Sequence, residues 1–111
     1  MRIVISILAI LFGLLHIIPA ATQFKSKDPA ARGSASLMLC GSVILIGTAA
    51  AHLAYGGTGD WMVALSAAVC GFLPVCFAAY LNGGRAGNVH PAHHIIRGGI
   101  AVLLVVGFLL W

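Results

Sequence analysis

The sequence predicts an all-α polytopic integral membrane protein, in which an antiparallel four-helix transmembrane bundle forms a single domain over residues 1–111. Hydrophobic residues make up 61% of the chain and charged residues only 7%, whereas about a quarter of the residues in a soluble domain are charged. The mean hydropathy is +1.09. The apolar residues collect in four runs, each close to the ~20 residues that cross a bilayer as a helix. The composition and the lengths of these runs together indicate a membrane protein.

The four predicted spans are separated by short segments that are polar or rich in glycine. The first run is too long for the apolar core of a signal peptide, although Ala20 and Ala21 leave cleavage of this segment as an alternative. The second run follows "TQFKSKDPAARGS", the third follows the turn "GGTGD" with Asp60 as its predicted N-cap, and the fourth follows "NGGRAGN". Because lipid cannot satisfy backbone polar groups, the runs are predicted to be helices over residues 3–21, 35–55, 61–81 and 91–111.

Basic residues indicate the orientation of the predicted spans. Those in and beside the first and third connections are Lys25, Lys27, Arg32, Arg85 and Arg97. Since cytoplasmic loops carry an excess of Lys and Arg, both connections are predicted to face the cytoplasm of a cell (plasma) membrane, with both termini outside. The aromatic rings of Tyr55, Trp61 and Trp111 would then lie at the outer interface. The same five basic residues are predicted to contact anionic lipid headgroups, and their position between apolar runs argues against binding to nucleic acid.

The two halves of the chain share a local pattern that predicts a duplicated helical hairpin. Each half has a proline late in its first apolar run, at Pro19 or Pro74, and an X-Pro-Ala sequence before its second run, at Pro29 or Pro91. A duplication would give parallel repeats related by an axis along the membrane normal. The alternative is that proline and glycine recur at membrane boundaries for general reasons.

The segment "NVHPAHHIIRGG" concentrates three of the five histidines at the predicted start of the fourth helix. Pro91 suits the first helical turn, where its missing N–H is not needed, and Asn88 or His90 is the predicted cap. His90, His93 and His94 then share one face through their i, i+3 and i+4 spacing. Their side chains are therefore predicted to converge near the cytoplasmic surface.

His16 lies about 9 Å into the first helix from its cytoplasmic end, near the predicted level of these three histidines. Imidazoles are common ligands of transition metals, so a transition-metal or haem site is predicted from His16, His90, His93 and His94. The string "HPAHH" also resembles the HxxHH box of membrane di-iron desaturases and hydroxylases. Those enzymes use several such boxes and this chain has one, so no activity is inferred. The alternatives are contact with anionic lipid phosphates and a proton-linked role.

His52 is the second histidine within a predicted span. Thr48 and His52 lie one turn apart on one helical face, which is predicted to point into the bundle. His16 and His52 are roughly 15 Å apart along the membrane normal, too far to bind one metal. The three residues His16, Thr48 and His52 are therefore predicted to mark a polar path or ligand contact. The alternative is a structural histidine that is hydrogen-bonded between helices.

Three classes of function remain open from the sequence. Transport or permeation of a small solute or ion ranks first, because polar residues occur near both ends of the predicted bundle, with His16 at the inner end and His52 at the outer end. A histidine-based metal or haem redox protein and a non-catalytic accessory subunit are the alternatives. No carboxylate lies within a span and no hydrolase or nucleotide-binding motif occurs, so an enzyme is not favoured. Faces rich in small residues, including Gly41 and Gly47, predict a homo-oligomer or a larger membrane complex.

Overall fold

The computed structural model describes residues 1–55, 61–87 and 90–111, and these residues form four helices with no β-strand among them. Helix α1 spans Arg2–Gln23, α2 spans Pro29–Tyr55, α3 spans Trp61–Arg85 and α4 spans Pro91–Leu110. Each helix is long and apolar enough to cross a membrane. The predicted all-helical class is thereby confirmed, with four helices whose length and composition suit a membrane span. The predicted "GGTGD" turn, the Asp60 cap and the Asn88 cap lie outside the described residues.

Helix α2 begins at Pro29, well before the predicted start at residue 35. Its start is fixed by Asp28, whose Oδ1 accepts a hydrogen bond from the backbone N–H of Ala30 at 3.0 Å. The predicted span from residue 35 lies within this longer helix, because the span followed the apolar run and the helix also includes the polar residues before it. Helix α3 likewise continues to Arg85 instead of residue 81. Gly87, with φ of 65°, follows as the left-handed residue that commonly stops a helix.

Helix α3 contains a π-helical segment, Ala67–Phe72, between its α-helical parts Trp61–Ser66 and Leu73–Arg85. Pro74 is the second residue after this segment, and in a regular α-helix its ring would clash with the carbonyl four residues earlier. The wider π-helical turn changes that spacing. The Gly71 carbonyl lies against α2 so closely that a Cβ on Gly41 would be 2.9 Å from its oxygen. Glycine at position 41 is therefore required for the contact between α2 and α3.

Helices α1 and α2 approach each other closely and run in opposite directions. A Cβ on Gly13 of α1 would lie 2.8 Å from Ile46 Cγ1 and 3.1 Å from the backbone oxygen of Ser42. Ser6 near the beginning of α1 contacts His52 near the end of α2. Small residues at such a crossing allow the backbones to approach, which favours packing in a membrane.

All four helices contribute to one apolar core. Its buried members include Ala9, Phe12, Leu45, Phe72, Leu104 and Phe108. Many large apolar side chains point outward instead, among them Leu15 and Ile18, each 67% exposed. An apolar exterior of this kind is compatible with an integral membrane protein and would be unusual for a monomer in water.

The prolines of the predicted duplication lie at different depths in their helices. Pro19 is in about the last turn of α1, whereas Pro74 is about three turns before the end of α3. The matching starts of α2 at Pro29 and of α4 at Pro91 are the part of the pattern that the helix boundaries share. The duplication stays a prediction.

Candidate functional site

His52 is buried where α1, α2 and α4 meet. Its Nδ1 lies 3.1 Å from Ser6 Oγ, and both residues have an exposure of 0%. The Phe108 ring packs edge-on against the imidazole, with 5.0 Å between the ring centroids. Ser6 is not among the site residues predicted from the sequence, although it is the only polar residue between Arg2 and His16. A buried polar pair satisfied within one chain is typical of a structural contact.

Apolar side chains fill the space between His52 and His16. Phe12 and Phe72 pack with their ring centroids 5.1 Å apart, and Leu45 is completely buried beside them in the same core. Thr48 is only half-buried, one turn before His52. Hence the described contacts do not join His16, Thr48 and His52 into one polar path.

His16, His93 and Arg97 instead line one pocket between α1 and α4, here called the α1–α4 pocket. Its volume is about 360 Å³. The other lining residues are Phe12, Leu15, Pro19, Ile96 and Ile100. Polar side chains from two helices therefore face a space whose remaining walls are apolar.

The imidazole of His16 is held by its own helix. Nδ1 donates a hydrogen bond to the backbone carbonyl of Phe12 at 2.7 Å, and the ring packs on the Phe12 ring with centroids 4.5 Å apart. Since Nδ1 is used in this way, Nε2 is the nitrogen left for a ligand. It accepts a hydrogen bond when the ring is neutral and donates one when the ring is protonated.

Arg97 is the cation of the α1–α4 pocket. It lies about two turns into α4, which begins at Pro91, and the headgroup contact expected of it stays a prediction. Its Nη1 is buried and has no hydrogen-bond partner among the described residues. It is close enough to His16 on α1 and Cys76 on α3 for electrostatic interaction. Arg97 thus brings a positive charge and an unsatisfied donor into the space between α1 and α4.

The histidines at the start of α4 point in different directions. His93 lines the pocket and packs against His90, with ring centroids 5.6 Å apart, whereas His94 packs against Tyr80 of α3 at 5.5 Å. Within residues 1–55, 61–87 and 90–111, no group of three or more His, Cys, Asp or Glu side chains is arranged to hold a metal ion. The predicted metal or haem site gains no support from this arrangement and stays a prediction.

A separate polar cluster joins the ends of α1 and α3 to the start of α2. Asn82 Nδ2 donates to Gln23 Oε1 at 2.9 Å. Arg85 Nη1 donates to Ser34 Oγ at 2.6 Å and to Asn82 Oδ1 at 3.2 Å. Arg85 therefore has partners in its own chain besides any contact with lipid headgroups. Its contact with Ser34 could not be predicted from the sequence, because the two residues are 51 positions apart and on different helices.

The remaining basic residues of this end, Lys25, Lys27 and Arg32, are all exposed. Among the polar groups described above, the donor-rich combination of Arg97 with two imidazoles in the α1–α4 pocket is the one suited to a ligand, and the ligand it suits is an anion. Comparison of the chain with protein-family models, curated proteins and solved structures found no match.

Proposed function

We propose that the protein is an antiparallel four-helix bundle in the membrane that binds an anionic group in the α1–α4 pocket. The observation that carries this proposal is the buried Nη1 of Arg97, which has no partner among the described residues. Leaving a buried donor unsatisfied costs about 1–3 kcal/mol, and more when the group is charged. A phosphate or carboxylate bound beside Arg97 would remove that cost through a charge-assisted hydrogen bond.

The orientation expected from the sequence places the pocket in the inner leaflet of a cell membrane. Lys25, Lys27 and Arg32 are exposed at the ends of the helices nearest the pocket. Their position supports a topology in which the first and third connections are cytoplasmic and both termini are outside. A cysteine at Ser26 should resist an impermeant thiol reagent in intact cells, whereas one at the exposed Tyr55 should react. The opposite labelling pattern would reverse the topology.

Transport or permeation is an extension of this binding role. The packed Phe12 and Phe72 rings argue against a polar path through the centre of a single chain. An anionic group would instead reach the pocket from its lipid-facing side, because Leu15 and Ile96 in the wall of the pocket are both exposed. Movement of a bound anion along this face is therefore favoured over movement through His16, Thr48 and His52.

Assembly into a homo-oligomer is a further part of the proposal. A Cβ on Gly47 would have no atom within 4 Å, so this position leaves room on the face of α2 for a second copy. Gly41 does not serve in this way, because it is packed against α3 of its own chain.

The proposed anion site is tested by comparing Arg97→Gln with Arg32→Gln. Both changes remove one positive charge from the same end of the molecule, but only Arg97 lines the pocket. In nanodiscs of phosphatidylcholine with a small fraction of phosphatidylglycerol, native mass spectrometry counts the anionic lipid retained by each variant. A charged hydrogen bond worth about 1.5–3 kcal/mol predicts a loss of roughly tenfold or more for Arg97→Gln.

Arg32 is exposed and is itself an expected headgroup contact, so Arg32→Gln should lower retention only slightly, by much less than Arg97→Gln. Equal retention by the parent and Arg97→Gln would contradict the proposed site. An equal loss in both variants would show that the lipid responds to general surface charge and not to the pocket.

A further inference from the structure

We infer that the ligand of the α1–α4 pocket is an anionic lipid whose acyl chain lies in a groove that continues from the pocket. This inference rests on the proposed anion-binding function and adds the class of ligand to it. The anionic headgroup would meet Arg97, and the chain would run between α1 and α4 toward the middle of the membrane.

The α1–α4 groove, as we call it, has a volume of about 480 Å³ and an almost wholly apolar lining. Its lining residues are Leu8, Leu11, Phe12, Leu15, Ile100, Leu103 and Leu104. Phe12, Leu15 and Ile100 belong to both the pocket and the groove, so the two spaces are continuous. From Arg97 to Leu104 the groove follows α4 for about 10 Å, away from the basic end of the molecule.

Helices α1 and α4 are in tight contact near the end of the molecule opposite Arg97. There a Cβ on Gly107 of α4 would lie 3.0 Å from the side chain of Ile5 on α1. Closer to Arg97, the facing positions carry large side chains that remain partly uncovered: Leu8 is 48% exposed, Leu15 67% and Leu103 72%. Large side chains hold the two helices apart in this part of the molecule, and their outer surfaces form the walls of the groove.

The charge distribution favours a lipid over a second copy of the chain as the occupant. One end of the combined space offers a cation and two imidazoles, and the rest is apolar, which matches the two parts of an amphiphile. A second copy would have to bring an anion to the depth of Arg97. None of the described helices contains a carboxylate side chain: Asp28 precedes α2, and Asp60 falls outside the described residues.

The groove is expected to add selectivity for shape more than affinity. An acyl chain in a bilayer is already surrounded by hydrocarbon, so entering an apolar groove provides little hydrophobic free energy. Most of the affinity should therefore come from the charged contact at Arg97. Filling the groove should act by steric exclusion of the chain.

The test uses two probes and a matched pair of variants on neighbouring residues. Phosphatidylglycerol in phosphatidylcholine nanodiscs supplies a phosphate with acyl chains, and glycerol 3-phosphate in solution supplies a phosphate without them. Leu8→Trp places a bulky ring in the groove, whereas Ile7→Trp places it on lipid-facing surface outside the groove lining; Ile7 is 46% exposed and Leu8 48%. Native mass spectrometry reads the retained lipid and the oligomeric state of each variant together.

We expect Leu8→Trp to lower the retention of phosphatidylglycerol about fivefold or more, with Ile7→Trp unchanged and the oligomeric state of both equal to the parent's. Glycerol 3-phosphate should displace the lipid only weakly.

Retention of lipid by Leu8→Trp equal to the parent's, together with efficient displacement by glycerol 3-phosphate, would overturn the groove inference and leave a free-anion site at Arg97. A change of oligomeric state in Leu8→Trp alone would also overturn it, because the groove would then hold a second copy. Failure of Arg97→Gln to alter either probe would instead contradict the proposed function itself.

Discussion

The two sides of helix α1 meet their neighbours in different ways. On the side facing α2, Gly13 allows the backbones to approach, and the buried Ser6 Oγ and His52 Nδ1 form a hydrogen bond. On the side facing α4, large leucines stand at the surface of a groove, and the buried Nη1 of Arg97 has no partner among the described residues. Both sides carry a histidine within a predicted span, but only His16 borders open space.

The presence or absence of a partner within the chain distinguishes polar residues that stabilise the fold from those that could bind a ligand. A polar group in a membrane span must find a partner, and His52 finds one in its own chain. Arg97 is placed where a partner has to come from outside the described part of the chain. Substitutions on the side facing α2 should therefore lower the free energy of unfolding. Substitutions on the side facing α4 should weaken ligand binding.

The largest expected effect on stability comes from His52→Ala. This change removes a buried ring in contact with Phe108 and leaves the buried hydroxyl of Ser6 without its partner. We expect the free energy of unfolding in detergent to fall by about 2–4 kcal/mol. Chemical denaturation followed by circular dichroism measures this change.

His16→Ala is the matched control for the side facing α4. His16 is half-buried and its hydrogen bond is to a carbonyl of its own helix, so the loss in the free energy of unfolding should be less than about 1 kcal/mol. Comparable losses in the two alanine variants would remove the distinction between the two sides of α1.

A smaller loss of stability is expected from Gly41→Ala, which tests whether close packing of α2 extends to α3. The added Cβ would lie 2.9 Å from the backbone oxygen of Gly71, and backbone cannot move aside as a flexible side chain can. We expect a loss of about 1–3 kcal/mol in the free energy of unfolding. Gly47→Ala is the control because its Cβ would meet no atom within 4 Å. If the Gly41 variant were as stable as the Gly47 variant, the contact between α2 and α3 would not be as close as described.

The all-helical class and the four long apolar helices could be predicted because each helix contains one uninterrupted apolar run. The start of α2 could not be predicted from hydropathy, since it is set by the Asp28 side chain and by Pro29 in a polar stretch. The same X-Pro-Ala pattern gave the correct start of α4 at Pro91. If the X-Pro-Ala pattern is applied to both helices, it predicts the start of α2 as well as the start of α4.

The side-chain contacts were less predictable because they depend on how the helices are placed against one another. Helical spacing indicated that His52 points inward, but its contact with Ser6 joins residues 46 positions apart. The same limit applies to Arg97, which looks like part of a basic helix start in the sequence. Only the packing of α1 against α4 brings it beside His16 in one pocket.

The most direct measurement of the proposed lipid site is photo-crosslinking with a phosphatidylglycerol analogue that carries a diazirine in its acyl chain. Peptide mapping should find the label concentrated on the groove-lining parts of α1 and α4, residues 8–15 and 100–104, and this labelling should fall in Arg97→Gln. The exposed apolar face of α3 around Leu65 and Val69, which are 52% and 53% exposed, serves as the internal reference for ordinary lipid contact. Labelling spread evenly over α1, α3 and α4, and unchanged in Arg97→Gln, would contradict a specific lipid site between α1 and α4.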